Sequence, residues 1–485
     1  MTRISRIFRN LFFNLTVIGV LSLIPTRIHA DAGITPEPTT AYLLVYFTGE
    51  GPSGEQIYFA VSEDGTYWRD LNNSTPVLCS DLGEKGVRDP AIIRSADGRK
   101  FYLLATDLRI ASKKGWEAAT TRGSTSVIVW ESSDLVKWSA PWSVDVARAI
   151  PEAGCAWAPE AIFDDTTGSY FVYWTTISPR NGVREARIYA AHTRDFRTFS
   201  SPELYIERVL PDGKSHPIID TQIIRADGGK FRFYRASGDG QITIEGCDTL
   251  VGDWQRIGDV SHLGYTGKQV EGPILFKFND KRKWGMLADQ YASGRGYLPF
   301  VLSNPADTRS YRVLSPSEYS LGTSRKRHGS VLNITRAEYQ ALLDRWPSLP
   351  SIRLASLDQP ARFIRHANFR LRADVESRPE ADALWRIVPG LTGAPGTVSL
   401  RSVNIADSYL AVTDRGIVLA ADNGDSDLRA RATFVREPGL ADPSAISLRL
   451  PGNGERYLIV QGSDLVVART SSPEDRRAAS FRLID

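Results

Sequence analysis

The sequence predicts an all-β protein: a five-bladed β-propeller followed by a β-trefoil. Three observations point there. A strand-rich unit recurs five times at intervals of roughly 50 to 70 residues, the size of a four-stranded propeller blade. The first and last copies are each incomplete, and together they make one whole unit. A shorter repeat of three copies follows them.

Each propeller unit has the same order. A β-branched and aromatic run appears in Tyr42-Phe47, Phe101-Thr106, Tyr170-Thr175, Phe231-Arg235 and Trp284-Ala288. A second strand follows in Ile57-Ser62, Val127-Glu131, Ile188-His192, Gln241-Glu245 and Tyr297-Leu302. Several of these lead into an acid-then-aromatic turn: Asp64 to Trp68, Asp134 to Trp138, Asp195 to Phe199, and more loosely Asp248 to Trp254 and Asp307 to Tyr311. A further strand opens on a polar residue and turns apolar: Arg88-Ile93, Ala158-Phe163, Asp220-Ile224, Glu271-Phe276 and His328-Leu332. As the innermost strand of a blade it lines the central channel, so Asp89, Glu160, Asp220, Glu271 and His328 are expected around one axis. The first two strands, Tyr42-Phe47 and Ile57-Ser62, have no inner strand before them, while His328-Leu332 has no outer strands after it. Joined, they seal the ring.

The flanks are read by other signals. Arg3, Arg6 and Arg9, an apolar stretch from Leu11 to Ile24, and Ile28-His29-Ala30 form a signal peptide over residues 1–30, which implies an exported protein. The propeller then spans 31–345 and a stiff Pro-containing linker 346–351. From 352 to 485, Phe363-His366, Tyr409-Val412 and Tyr457-Val460 recur at about 45 residues, with Trp385-Val388, Phe434-Arg436 and Phe481-Leu483 closing the same units. That is the trefoil.

Composition narrows the partner. A net charge of +3 without a basic block argues against nucleic acid and anionic membrane. Neutral carbohydrate suits a chain with 11 Trp, 18 Tyr and 19 Phe, because aromatic faces bind sugars. The widely spaced Cys79, Cys155 and Cys247 fit no metal pattern and allow one disulfide at most. Cleaving a glycosidic bond takes one carboxylic acid to protonate the leaving oxygen and one carboxylate to act on the anomeric carbon or on water. Asp89 and Glu271, on non-adjacent blades, face each other across a sugar in this scheme, and Asp220 adds a third charge that raises the pKa of the acid. Glu160 leans towards a structural role. His328 has two open readings, a packed core histidine or a ligand for a central Ca2+ or other cation. No other cofactor is required.

In that order, Val87-Arg88-Asp89-Pro90, Trp157-Ala158-Pro159-Glu160, Ile219-Asp220-Thr221 and Val270-Glu271-Gly272-Pro273 resemble glycoside hydrolase family 43, and Arg327-His328-Gly329-Ser330 resembles a further marker of some members. The resemblance covers residues 40 to 345. It implies an inverting five-bladed propeller, with Asp89 as general base, Glu271 as general acid, Asp220 as the residue that tunes the acid, and Trp157 stacking on a sugar. Asp220 is followed by Thr221 where the family usually has Pro. Arg365-His366-Ala367-Asn368-Phe369-Arg370-Leu371 resembles the arabinofuranose-binding AbfB module of family 42, which implies a sugar pocket at His366 and Asp374. The second and third lobes carry Val412 and Val460 where that His would be, so one competent pocket is expected.

The combined expectation is a secreted, monomeric α-L-arabinofuranosidase acting on arabinoxylan or arabinan of the plant cell wall. A β-xylosidase of the same fold, a fructan-cleaving propeller and a non-catalytic carbohydrate-binding propeller are the competing readings.

Overall fold

Five four-stranded antiparallel sheets form the propeller. The first four blades run without interruption along the chain. Their inner strands are Val87–Arg94, Trp157–Asp164, Ile219–Arg225 and Glu271–Lys277. The fifth joins the inner strand Arg327–Thr335 to Thr39–Phe47, Tyr58–Ser62 and Arg69–Asp70 from the start of the propeller, with Leu44 opposite Val331 and Tyr42 opposite Asn333. This is the ring closure expected from the unmatched ends. The computed structural model describes residues 37–484 apart from 52, 227, 266–268, 281, 282, 406 and 453. The leader expected over residues 1–30 lies outside the described residues.

Blade strands read as nearly continuous apolar runs because both faces are covered. In Thr39–Phe47, Leu43 and Val45 point to the first blade and pack with Leu103, Ile128 and Trp130. Tyr42, Leu44 and Tyr46 point the other way, to Ile274, Phe276 and Leu287 of the fourth. Similar clusters fill the remaining three gaps. The core is therefore a set of wedges between neighbouring blades. The acid-then-aromatic turns have a backbone reason: Asp64, Asp134 and Asp195 each accept two successive amides, from Thr66 and Tyr67, Val136 and Lys137, and Arg197 and Thr198.

After the closing strand, Thr335 and Glu338 form a capping box that starts the helix Arg336–Arg345. Trp346, placed in the linker by sequence, is buried edge-on against Phe59 in the propeller core. Beyond it, nine strands close into a barrel: Phe363–Ala367, Arg353–Ser356, Phe481–Ile484, Ile446–Arg449, Phe434–Pro438, Thr397–Ser402, Ser408–Thr413, Gly416–Ala421 and Arg370–Asp374, the last pairing with the first. Leu354, Leu400 and Leu448, and likewise Trp385, Phe434 and Phe481, are fully buried at matching places in its three parts. The barrel docks on a left-handed turn of the propeller at Asn72, Asn73 and Ser74. Arg386 and Arg401 donate to the Asn73 carbonyl at 3.0 and 2.8 Å, and Arg401 also to that of Ser74 at 3.1 Å. All three cysteines are unpaired. Among the described residues, no helix is long and apolar enough to cross a membrane.

Beside this dock a buried ion pair joins Asp70 to Lys326. Asp70 also accepts from Thr323 Oγ1 at 2.7 Å and from the Ser324 amide at 2.8 Å. Burial alone would raise the Asp70 pKa, but Lys326 and these donors hold it down at about 2. Because the folded value is depressed, this contribution to stability is present above the ordinary carboxylate range and fades as pH falls through about 2. Lys326→Met leaves the Asp70 charge buried and unpaired, and should lower unfolding free energy by about 3–5 kcal/mol in urea titrations at neutral pH. A loss below about 1 kcal/mol would contradict the assignment.

Candidate active site

The inner strands share a kink at the funnel mouth. Pairing slips between Arg88 and Ala91, Trp157 and Glu160, Ile219 and Gln222, and Glu271 and Ile274. The second residue of each bulge, Asp89, Ala158, Asp220 or Gly272, has φ between 48° and 53°. Such left-handed backbone is uncommon for residues with a Cβ and concentrates at functional sites. Gly272 has a further reason: a Cβ there would lie 2.7 Å from Cγ of His328.

This register corrects the expectation that the five polar residues are equivalent. Asp89 and Asp220 occupy the left-handed place, and His328 the matching place of the fifth blade. Glu271 stands one residue earlier. Glu160 stands two residues later, where Gln222 in the next blade braces Leu275 through both its amide and its carbonyl. Glu160 is buried at this bracing place, and burial pushes its pKa up to about 8.

Side chains of the preceding blade receive the amides of the kinked residues. Thr106 Oγ1 accepts from Ala158 at 2.7 Å, Thr175 Oγ1 from Asp220 at 3.2 Å, and Asp289 Oδ2 from His328 at 3.4 Å. Thr106, Thr175 and Asp289 hold the same position in their second strands, opposite Arg88, Trp157 and Glu271. In the third blade that position is Gly238, opposite Ile219, with no side chain to offer. There Asp220 Oδ2 itself accepts from Gly272 at 3.1 Å.

These bonds gather three acids around one histidine. His328 Nδ1 lies 3.5 Å from Asp89 Oδ1 and 3.8 Å from Asp220 Oδ2. Asp89 also accepts from Thr106 Oγ1 at 2.9 Å. Desolvation is the largest influence on each group. For Asp89 it is outweighed by the His328 hydrogen bond and charge, by Arg88 and by Thr106, so its pKa is lowered. For Asp220, burial and the Asp89 charge prevail over His328 and raise it to about 6. For Glu271, burial with the charges of Asp220 and Asp289 raises it to about 8, despite Arg327 at 3.4 Å. Burial would lower the His328 pKa, but Asp220, Asp89 and Glu160 carry it up to about 9. The surroundings thus favour the ionised form of Asp89 and the protonated form of Glu271.

Charged and aromatic groups frame these acids. Arg88 pairs with Glu50 at 2.9 Å and Glu55 at 3.2 Å, and lies over the Phe47 and Trp116 rings. Arg327 donates to Asp289 at 2.5 Å. Trp157 meets the half-exposed Trp116 edge-on, with ring centroids 6.2 Å apart. Among the described residues, no three His, Cys, Asp or Glu side chains form a set able to hold a metal ion.

Residues 37–340 match a family described as a probable glycosyl hydrolase domain. The chain belongs to this glycosyl hydrolase family. Residues 352–483 match the alpha-L-arabinofuranosidase B domain, so both resemblances seen in the motifs are borne out. An alpha-L-arabinofuranosidase of Bifidobacterium longum is 30% identical over 225 residues, 42% of this chain and 20% of that protein. An extracellular exo-alpha-(1->5)-L-arabinofuranosidase of Streptomyces avermitilis is 34% identical over 91 residues, 19% of each. The matches thus span about a fifth of the length of either relative. Among solved structures, an exo-beta-1,3-galactanase from Clostridium thermocellum aligns with a TM-score of 0.42 and 10% identity, covering 82% of this chain and 95% of that one.

In the alpha-L-arabinofuranosidase B domain, His366 and Asp374, both expected at a sugar pocket, are linked through Arg365 and Asp382 and not by a direct contact. Leu371 is opposite His366 in the hairpin, and Phe363 is opposite Asp374, so the two side chains leave opposite faces. His366 Nε2 instead lies 3.0 Å from Asn404 Oδ1 and 3.4 Å from Asp382 Oδ1. Asp374 is taken by Arg372 at 2.7 Å and Arg365 at 3.4 Å. Sequence reasoning missed Asp382, on the 3-10 helix Glu380–Ala383, and Asn404, both outside the hairpin motif. It also missed Thr106, Asp289, Arg327 and Trp116 in the glycosyl hydrolase domain. The second-strand position shared by Thr106, Thr175 and Asp289 was the available signal.

The charged state of His328 is directly observable. Its imidazole should titrate near pH 9, above the ordinary histidine range, in 15N-resolved NMR, and Asp89→Asn should move that midpoint down. A midpoint near 6.5 in the unaltered protein would contradict the arrangement.

Proposed function

We propose that this chain is an inverting α-L-arabinofuranosidase that removes arabinofuranosyl side groups from arabinoxylan or arabinan outside the cell. The observation that supports the reading is the cluster at one funnel mouth: His328 lies 3.5 Å from Asp89 and 3.8 Å from Asp220, Asp220 holds the amide next to Glu271, and these surroundings favour an ionised Asp89 and a protonated Glu271. Asp89 takes a proton from water, whose oxygen bonds to the anomeric carbon from one face. On the other face the glycosidic C–O bond breaks, and its electron pair stays on the leaving oxygen, which takes the Glu271 proton. Glu271 then recovers a proton from solvent and Asp89 releases one. Atoms and charge balance without a redox partner.

Asp220 acts through Glu271 in this reading and does not touch the substrate. Its negative charge favours the protonated acid. His328 supplies positive charge near the base. A cation bound directly at Nδ1 would need a neutral imidazole, whereas the flanking carboxylates favour the charged ring, so no step is routed through a metal. Trp157 and Trp116 offer a rim on which a sugar face can rest.

The names of the two curated relatives and the alpha-L-arabinofuranosidase B match support arabinofuranose as the sugar. An extracellular relative supports export. We read the barrel as a β-trefoil from its three matching sets of buried residues, and as a carbohydrate-binding module around His366, Asp382 and Asn404. Oxygens and a ring nitrogen meet there within hydrogen-bonding range of one another.

Two variants separate these roles. Glu271→Gln should cost about 10²-fold or more in kcat on arabino-oligosaccharides, but much less on aryl arabinofuranosides whose leaving groups need little protonation. Equal losses on both would remove Glu271 from the role of acid. Asp220→Asn should shift the alkaline limb of the kcat/KM profile, near pH 8 in the unaltered enzyme, to lower pH, because the charge that raises the Glu271 pKa is gone. An unmoved limb, with only lower rates, would reduce Asp220 to a backbone brace.

A further inference from the structure

Five connections join the second strand of a blade to its third at the funnel mouth: 108–125, 181–182, 239–241, 290–296 and 48–57. Their sequences contain two aromatic residues, Trp116 in the first blade and Tyr291 in the fourth. Those are the blades that supply Asp89 and Glu271. We infer that Tyr291 contacts the leaving group, the unit just beyond the bond that is cut; this rests on the arabinofuranosidase reading above.

Strand pairing fixes where each ring stands. Asp289 is opposite Glu271 in the fourth blade, and Tyr291 follows two residues later, where the chain has left the ladder. The ring is therefore carried on the acid's side of the mouth. The Tyr291 hydroxyl pKa is raised by burial and by the charge of Glu271, in keeping with that place. Trp116 belongs to the base. The Arg88 guanidinium, next in sequence to Asp89, lies over the Trp116 ring at 5.1 Å from its centroid. In the proposed displacement, water enters from the Asp89 side and the leaving oxygen takes the Glu271 proton. Whatever is attached to that oxygen departs on the acid's side, beside Tyr291.

The turn that carries Tyr291 is fixed from several sides. The backbone and side-chain amides of Gln290 both donate to the Gly296 carbonyl, at 2.9 and 3.2 Å. Gly296 is left-handed, and a Cβ there would come within 2.5 Å of the Lys326 carbonyl oxygen. Arg325 donates to the Gly294 carbonyl at 3.3 Å and to that of Thr48 at 2.8 Å, which ties the turn to the fifth blade. Arg295, also on the turn, lines the cavity towards the C-terminal barrel together with Arg325. A ring on a fixed support loses little freedom when a ligand settles on it. Tyr291 is exposed, and presents an apolar face with a hydroxyl at its edge. The C–H face and hydroxyl rim of a neutral pentose match those two surfaces.

Hydrolysis of arabinotriose and of methyl α-L-arabinofuranoside by the full-length enzyme tests the assignment. Both leaving groups need protonation, but a methyl group leaves nothing to rest on a ring. Tyr291→Ala should lower kcat/KM about tenfold on arabinotriose and less than about twofold on the methyl glycoside. Tyr291→Phe, which keeps the ring, should retain most of the arabinotriose rate. Equal losses on both substrates would mean that Tyr291 acts on Glu271 or on the arabinose being released, and would overturn the inference. Unchanged rates on both would overturn it too. An unaltered enzyme inert towards both substrates would instead strike the arabinofuranosidase reading on which the inference stands.

Discussion

At the funnel mouth, the amide of the second bulge residue needs a partner, and the preceding blade supplies it for Ala158, Asp220, Gly272 and His328. A buried N–H without an acceptor costs about as much as a lost hydrogen bond, so this requirement constrains which residues can stand there. Thr106 and Thr175 meet it with hydroxyls and Asp289 with a carboxylate. Where Gly238 has nothing to give, Asp220 turns to Gly272. The bonds that tie blade to blade are thus the bonds that orient the acids. Asp220 is held close to His328 because it must also serve the backbone beside Glu271.

Electrostatics follow from this placement. Several carboxylates buried around one axis repel one another, and burial penalises every ionised form. His328 relieves Asp89 through a hydrogen bond as well as its charge. Glu271 receives less relief: Arg327 is shared with Asp289 and Glu50, while Asp220 and Asp289 press its proton on. Unequal access to the same positive charges pushes the pKa values of chemically similar side chains in opposite directions, down for Asp89 and up for Glu271.

The propeller was largely legible because each blade repeats its strand pattern and because the two unmatched ends complement each other. The acids were legible as residue types at strand entrances. Their register was not, since a bulge moves one residue out of step without altering composition, and Asp89, Glu271 and Glu160 look alike until pairing partners are known. His366 was found from its local motif, but its direct neighbours Asp382 and Asn404 arrive from elsewhere in the chain, and Asp374 reaches the cluster only through Arg365. Trp346 looked like a linker residue because it precedes Pro347; only packing on Phe59 places it in the propeller.

A hydrolysis in which Asp89 activates water while Glu271 protonates the leaving oxygen is a single displacement, and it reverses the configuration of the anomeric carbon. Proton NMR of the sugar first released from an α-L-arabinofuranoside, recorded before mutarotation, tests this most directly. β-L-arabinofuranose as the initial product is the expected result. Initial release of the α anomer would mean that a carboxylate attacks the sugar itself, contradicting the assignment of Asp89 as a base.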